Sequence, residues 1–384
     1  MTDEVWSYIM LDAPIPQTTI SPEILQRMKR EFDYFYPLDL RTSGKDLITN
    51  HLTFFIYNHV AIFPQKKWPL GVRVNGHLLL NNEKMSKSTG NFLTMRDALD
   101  RYGADATRFA LAEAGDGFED ANFLEKTADD AILKLFTERE FLGELLEKES
   151  TLRSGPYSWS DKVFDAEMDS IINAADDAYH KMLYREALKV GYHDLQNARN
   201  EYRKATTGQG IPVSDQDVFE GMHVYLIKRF AKVQALLLAP ITPHWSESIW
   251  IDLLKESKSI LKASWPESKP VDNSILAGAK YIQSVVSSIR SAEDAAAKKK
   301  NKKSKTVAPT LPSLLTLFVA HTYPKWQEEA LNILKKHFDG KEFAGEMDAI
   351  KEAGLQKDKR VMPFIAALKV FVFCRINSCL PDSC

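Results

Sequence analysis

Lys84-Met85-Ser86-Lys87-Ser88-Thr89-Gly90-Asn91 places two ammonium groups three positions apart on a hydroxyl-rich segment that ends in glycine. Such a loop can fold over a polyphosphate and stabilise charge that develops during transfer chemistry. Gly90 and the small serines also let it open again. For so short a motif a solvated Lys/Ser loop is the plain alternative, so the flanks matter. Val72-Arg73-Val74 and His77 to Leu80 read as two short strands leading into the loop, and Leu38 to Ser43 as an earlier strand ending at Gly44. Between them, Leu47 to about Ile62 reads as a helix, apolar enough through Phe54, Phe55, Ile56 and Val60 to be buried. After the loop, Thr94 to Tyr102 and Asp105 to Glu113 read as amphipathic helices stopped by Gly103 and Gly115. This order predicts an α/β layer built on a parallel sheet.

The chain of 384 residues is long enough for two or three domains with real cores. Its 44% hydrophobic and 27% charged content is ordinary for a globular protein, and a net charge of −2 argues against a broad, non-specific nucleic-acid binder. Cys374, Cys379 and Cys384 are the only cysteines; their spacing fits neither a zinc site nor a redox pair, and a cysteine-free body suits a reducing compartment. The acidic N-terminus lacks the layout of a signal peptide and no long apolar run predicts a membrane span, so the cytosol is expected.

At the start, Pro14, Pro16 and Pro22 mark turns before a helix over Ile24 to Tyr34. From Ala121 to about Lys255 the pattern is helical. Stripes at Leu133, Leu135, Phe136 and Phe141, at Met168, Ile171, Ile172 and Ala175, and at Leu183, Ala187, Val190 and Leu195 predict an antiparallel bundle. Val224 to Leu238 is a long apolar helix, followed by Pro240, Pro243 and a helix over His244 to Leu254. Residues 275–297 form another helix that runs into the lysine block at 298–305, read as a solvated linker, with a tRNA-steering tail or a nuclear signal as rivals. Leu314 to Ala320 reads as a strand, with helices from Trp326 and Ala344. Trp245 and Trp250 read as bundle core rather than as a base-stacking platform.

Gly44-Lys45-Asp46, with Asn50-His51 close behind, falls where a strand gives way to a helix, the edge at which open α/β sheets bind nucleotides. Asp46 can accept hydrogen bonds from ribose hydroxyls while Gly44 lets the backbone approach; alternatively Asp46 merely caps the next helix.

Three stretches now combine: YPLDLRTSGKDLITNHLTFFIYNH (36–59), GHLLLNNEKMSKSTGNF (76–92) and GADATRFALAEAGDGFEDANF (103–123). They resemble the second half of the class I aminoacyl-tRNA synthetase catalytic domain, specifically the eukaryotic and archaeal type of leucyl-tRNA synthetase, whose KMSKS signature matches at all five positions. LYREALKVGYHDLQNARNEYR and LAPITPHWSESIW extend the resemblance to an anticodon-binding-type bundle, so that it covers roughly residues 1–369. It implies the α/β half of a Rossmann-like class I nucleotide-binding domain over 1–120, an all-α bundle over 121–268, a helix and lysine-rich linker over 269–311, and a partial α+β C-terminal region over 312–384.

The resemblance also implies chemistry. Leucine carboxylate attacks the α-phosphorus of ATP, pyrophosphate leaves with magnesium, and the leucyl group passes to the terminal ribose of tRNA(Leu). Lys84, Lys87 and Ser88 would be catalytic, with Lys87 nearest the charge developing at the α and β phosphates. Gly44, Asp46, His51, Met85 and Ser86 would bind ATP, and no resident metal is implied. Assembly with other synthetases is compatible with the family. Arg185 with Lys189, and Arg199 with Arg203, lie one helical turn apart and are candidates for tRNA phosphates, although Glu186, Asp194 and Glu201 are interleaved as on any solvated helix.

Two departures shape the expectation. His77 follows Gly76, but no histidine stands two positions before that glycine, so the family's His-x-Gly-His signature is missing. Half the nucleotide fold, the editing domain and much of the leucine pocket would lie upstream of Met1. The strand at Leu38–Ser43 would then expose an apolar edge, and the chain is expected to be a fragment unable to form adenylate alone. Val370 to Cys384 departs from the family as well. The rival reading is a non-catalytic tRNA-binding or protein-interaction module derived from such an enzyme.

Overall fold

The computed structural model describes residues 1–208, 221–303, 322–339, 343–366 and 368–369. The molecule divides into two compact units, Met1–Ser291 and Ala292–Cys384.

In the first unit, α1 (Asp3–Leu11) packs on α2 (Pro22–Phe35) through Val5, Tyr8, Ile9 and Leu25. Ser21 accepts a hydrogen bond from the Ile24 amide at 3.4 Å and Pro22 occupies the first turn, which starts α2. Lys67 ties this helix pair to the segment that carries it: its buried ammonium donates to Met10 O at 3.0 Å and to Asp33 Oδ1 at 3.2 Å. Burying an ammonium is tolerable only with such partners.

β1 (Arg41–Gly44) and β2 (Val72–Asn75) form a parallel pair, with Gly44 opposite Asn75. The crossover helix α3 (Thr53–Ile62) is not buried as its composition predicts: none of its residues is buried, and Phe54 and Tyr57 are 66% and 67% exposed. Two strands offer too little surface to cover an apolar helix, whereas parallel sheets normally bury both faces. A second sheet has the order β4-β3-β5, with β3 (Leu78–Leu80) antiparallel to β4 (Glu83–Lys84) and parallel to β5 (Ala121–Phe123). The sequence does not foresee β5, which falls where the helical pattern begins.

Gly76 joins the two sheets. A Cβ there would lie 2.2 Å from Glu119 O and 2.7 Å from the Asp120 amide. Backbone cannot yield cheaply, so Gly76→Ala is expected to lower unfolding stability by about 1–3 kcal/mol, the usual cost of overpacking, in urea denaturation.

The next helix, α4 (Met95–Ala114), opens with a capping box between Thr94 and Asp97. Then comes the bundle: α5 (Glu125–Glu147), α6 (Trp159–His180), α7 (Tyr184–Leu188), α8 (Leu195–Thr207), α9 (Val224–Leu238) and α10 (Pro243–Ser248). A π-helical turn, Lys189–Asp194, joins α7 to α8. Phe164, Met168, Ile172, Leu188, Leu195, Leu226, Ile227, Phe230 and Leu237 are fully buried together, each worth about 1.5–3 kcal/mol. The helix predicted over Val224 to Leu238 forms with those ends. Trp245 is core, and its indole N–H donates to Leu135 O at 2.7 Å.

The stripe on α5 needs correction. Leu133 and Phe136 face outward, while Ala128, Ala131, Leu135, Glu138 and Leu142 face in. A charged residue sits on the inner face because a partner awaits it. Arg199 on α8 meets the Glu138 carboxylate with both terminal nitrogens, at 3.2 and 3.1 Å, and stacks its guanidinium over Phe141 at 4.1 Å. Leu183 is likewise exposed rather than part of the core.

The helix predicted over 275–297 is α11 (Asn273–Lys303). Its backbone continues through lysines 298–300, 302 and 303, so the structure corrects the linker expected there; Ser304 and Lys305 lie outside the described residues. A cleft of about 590 Å³ lies between α6, α8 and α11, lined by Glu167, Asp194, Glu201 and Lys280. Burial, aided by Glu201 and opposed by Lys280, pushes the Glu167 carboxyl up to about 7. A carboxyl raised in the folded state binds its proton more tightly there than in the unfolded chain, so stability falls as pH rises from 4.5 through about 7. Glu167→Gln is therefore expected to raise the urea midpoint at about pH 8 and to leave it unchanged near pH 4.

In the second unit, α12 (Lys325–Lys336) and α13 (Glu346–Glu352) enclose Ala330, Leu334, Ile350, Leu355, Val361 and Ile365. The strand expected over Leu314 to Ala320, and Val370 to Cys384 with all three cysteines, lie outside the described residues.

Candidate functional site

The loop at 84–91 grows from the β3–β4 hairpin. Asn81 and Asn82 both take positive φ, 51° and 70°, the conformation that matches a two-residue hairpin to strand twist and that asparagine tolerates. The turn is tethered on both sides. Asn82 and Asn122 exchange hydrogen bonds at 2.8 and 2.7 Å, and Asn81 does the same with Glu125 at 2.8 and 3.1 Å. Glu125 also accepts from Tyr102 Oη at 2.9 Å and from Arg101 at 3.1 Å. The Asn81 side chain, then the Tyr102 hydroxyl, hold its carboxyl below the ordinary range.

From that base the loop closes on itself. The Ser86 amide donates to Asn91 O at 2.8 Å, Thr89 Oγ1 donates to Ser86 O at 3.2 Å, and Gly90 turns the chain with a φ of 75°. Met85 packs with Leu93 against Leu80, Ala110, Phe123 and Ala128. Lys84, Lys87 and Ser88 are exposed, and Ser88 Oγ lies 2.8 Å from Ser86 Oγ. Among the described residues neither lysine ammonium has an ion-pair partner. The hairpin thus holds two positive charges, uncommitted among the described residues, above a base braced by hydrogen bonds.

The Gly44–His51 segment lies at the carboxyl end of β1. Asp46 is exposed, and the short helical turn it enters has Gly44 at its N-cap with no side-chain cap, so the capping alternative for Asp46 finds no support. His51 Nε2 lies 3.1 Å from Arg41, and the Asp46 carbonyl accepts from Asn50 at 3.4 Å. Lys45, to which the sequence assigns no role, ion-pairs with Asp120 at 2.6 Å; Asp120 also accepts from the His77 amide at 2.8 Å. The Lys45 bond first, and the His77 amide next, hold the Asp120 carboxyl down at about 2. This clamp fixes the end of β1 to the lead-in of β3. Nothing local in the sequence marks Asp120 as the partner, because it lies 75 positions from Lys45 in the chain.

The basic pairs fare unevenly. Arg199 is 6% exposed and committed to Glu138, so it does not present itself to a phosphate, and Arg203 leans on Phe141 at 5.3 Å. Arg185 and Lys189 are exposed and line a cleft of about 730 Å³, but Glu113, Asp116 and Glu186 line it too. Lys189 is paired with Glu186 at 2.9 Å. Arg185 alone of the four is both exposed and, among the described residues, without an ion-pair partner.

The geometry agrees with comparisons to known proteins. Residues 2–134 match the class I (M) tRNA synthetase family model, residues 161–308 that of the anticodon-binding domain of tRNA ligase, and residues 319–372 that of the leucine–tRNA ligase RagD-binding domain. The cytoplasmic leucine–tRNA ligase of Pongo abelii is 45% identical over 383 residues, covering 96% of this chain and 31% of the relative. That of Saccharomyces cerevisiae is 45% identical over 372 residues, covering 96% and 33%. The chain belongs to the leucine–tRNA ligase family. It spans about a third of the length of these relatives. Among solved structures, the methionyl-tRNA synthetase of Mycobacterium tuberculosis, in complex with methionyl-adenylate, aligns with a TM-score of 0.51 at 20% identity over 62% of this chain and 51% of that one. The class I fold expected of a leucine–tRNA ligase, a synthetase α/β portion followed by a helical anticodon-binding domain, is therefore the fold present.

Proposed function

We propose that this chain supplies the phosphate-side loop and the tRNA-facing bundle of a leucine–tRNA ligase, acting in cytoplasmic translation as its named relatives do. The observation that carries the reading is the pair of ammoniums, Lys84 and Lys87, without ion-pair partners among the described residues, on a hairpin braced by Asn81, Asn82 and Met85. In the first step the leucine carboxylate oxygen bonds to the α-phosphorus of ATP as the bond to the β,γ-pyrophosphate breaks. Lys84 and Lys87 stabilise the charge on the departing phosphates, and Ser88 steadies the loop through Ser86. Gly44, Asp46 and His51 face the adenosine, Asp46 as acceptor for ribose hydroxyls. In the second step a terminal ribose hydroxyl of tRNA(Leu) takes the leucyl group and AMP leaves. Among the described residues no group of three or more His, Cys, Asp or Glu side chains is placed to hold a metal. Magnesium would therefore arrive on the triphosphate, and no step is assigned to it.

Arg185 is the best-placed contact for tRNA phosphate, with Lys189 and Arg203 secondary. The match over 319–372 supports a second reading alongside the first, docking of a RagD-like protein on the second unit. The decisive test is ATP–pyrophosphate exchange by the chain alone and by the chain mixed with the remaining two-thirds of the yeast relative. The proposal expects no exchange alone and leucine-dependent exchange on mixing. Exchange absent from a mixture that forms a stable complex would leave only the binding-module reading.

A further inference from the structure

α4 is two helical arms, the pair that the sequence predicts on either side of Gly103, joined at an elbow. At Gly103 the backbone turns to φ 77° and ψ 167°, a region essentially reserved for glycine. Packing does not explain the glycine, because a Cβ at this position would meet nothing within 4 Å. The residue is there for its backbone alone. Thr107, on the second arm, reaches across the break, its hydroxyl proton shared between Gly103 O at 2.7 Å and Ala98 O, on the first arm, at 3.3 Å.

The two arms have different anchors. The first, 95–102, begins at the end of the signature loop and ends at Arg101 and Tyr102, both bonded to Glu125, the residue that also holds the Asn81 turn. The second, 104–114, is fixed to the bundle. Arg108 donates to Pro240 O at 2.7 Å and Ile241 O at 2.8 Å. Asp105 accepts from the His244 and Trp245 amides at 3.4 and 2.5 Å, and Glu113 bonds His193 at 3.2 Å. A straight helix could not serve both anchor sets with its present register.

We infer that Gly103 is a positioning residue for the signature loop: its elbow, clamped to the Pro240–Trp245 turn through Asp105 and Arg108, sets where Lys84 and Lys87 stand relative to the bundle. The catalytic meaning of that placement rests on the function proposed above; the mechanical link does not. Straightening the elbow pulls Leu93 and Met85 from their seat and loosens the loop.

Hydrogen exchange resolved by segment tests the link without nucleotide. Gly103→Ala in the full chain is expected to speed amide exchange over 84–94 by about fivefold while the bundle helix 224–238 keeps its wild-type protection. Arg108→Ala, which leaves the elbow intact but unlocks its clamp, is expected to shift the same segment in the same direction. Unchanged exchange over 84–94 in both variants, or an equal rise through the bundle, overturns the inference. In the mixed preparation, Gly103→Ala is expected to lower the leucine-dependent exchange rate constant by about a hundredfold. If wild type shows no exchange on mixing, the functional reading fails while the amide result still decides the inference; a wild-type rate in Gly103→Ala overturns it.

Discussion

Replacing both Lys84 and Lys87 with alanine is expected to reduce leucine-dependent ATP–pyrophosphate exchange, in the preparation mixed with the rest of the yeast relative, by about 10³-fold or more. Loss of one preorganised donor typically costs 10² to 10³ in rate, about 2.7–4 kcal/mol of barrier. Two donors on one loop act as a unit, so the double effect is expected to fall short of the product of the singles. Lys87→Ala alone should carry the larger share, since the proposed function puts that side chain nearest the bond that breaks. The fold should not notice. Both side chains are exposed and unpaired among the described residues, and surface changes of this kind usually move stability within about 0.5 kcal/mol. Exchange at the wild-type rate in the double variant would remove the chemical basis of the proposed function.

Arg199→Ala carries the largest expected effect on stability, a loss of about 3–5 kcal/mol, because it strands a buried carboxylate. Burial raises the Glu138 carboxyl despite Arg199, and burial lowers the Arg199 guanidinium despite Glu138. In both partners desolvation outweighs the pair, so the bridge is costly to break without being a net gain over apolar packing. Two further results stem from that sign. In Arg199→Ala, Glu138 takes up a proton in the folded state, so the variant should lose further stability as pH rises from about 5 to 8. The double replacement Glu138→Leu with Arg199→Met should recover most of the loss or exceed wild type. Urea denaturation at the two pH values reads all three. A single variant that unfolds at the wild-type midpoint would show the inner face of α5 to be wetter than the structure places it. The same commitment explains why Arg199, one of four cations that sequence spacing puts forward for tRNA, is the one least able to reach it.

How much of the structure is legible in the sequence differs from element to element. Capping residues, glycines and apolar periodicity are local, so Thr94, Pro22 and the run from Val224 to Leu238 announce their helices, and the five residues at 84–88 announce the family. The inner face of α5 is misread because periodicity counts a glutamate as polar, and Glu138 is inside only by virtue of a guanidinium 61 positions away. The Lys45–Asp120 clamp and the β5 strand are hidden for the same reason: each depends on a partner remote in the chain. Burial of α3 is expected from its composition and does not occur, because composition says what a helix prefers, not whether a sheet is wide enough to cover it.

The sequence by itself determined the chemistry on offer, two lysines on a hydroxyl-rich loop and an aspartate after a strand, since side-chain type and local backbone freedom are written residue by residue. Tertiary structure alone decided which charges are free to act. Among the described residues Lys84, Lys87 and Arg185 are left uncommitted while Arg199, Lys67 and Lys45 are taken up by carboxylates, because an ion's availability depends on what folding brings within about 4 Å of it.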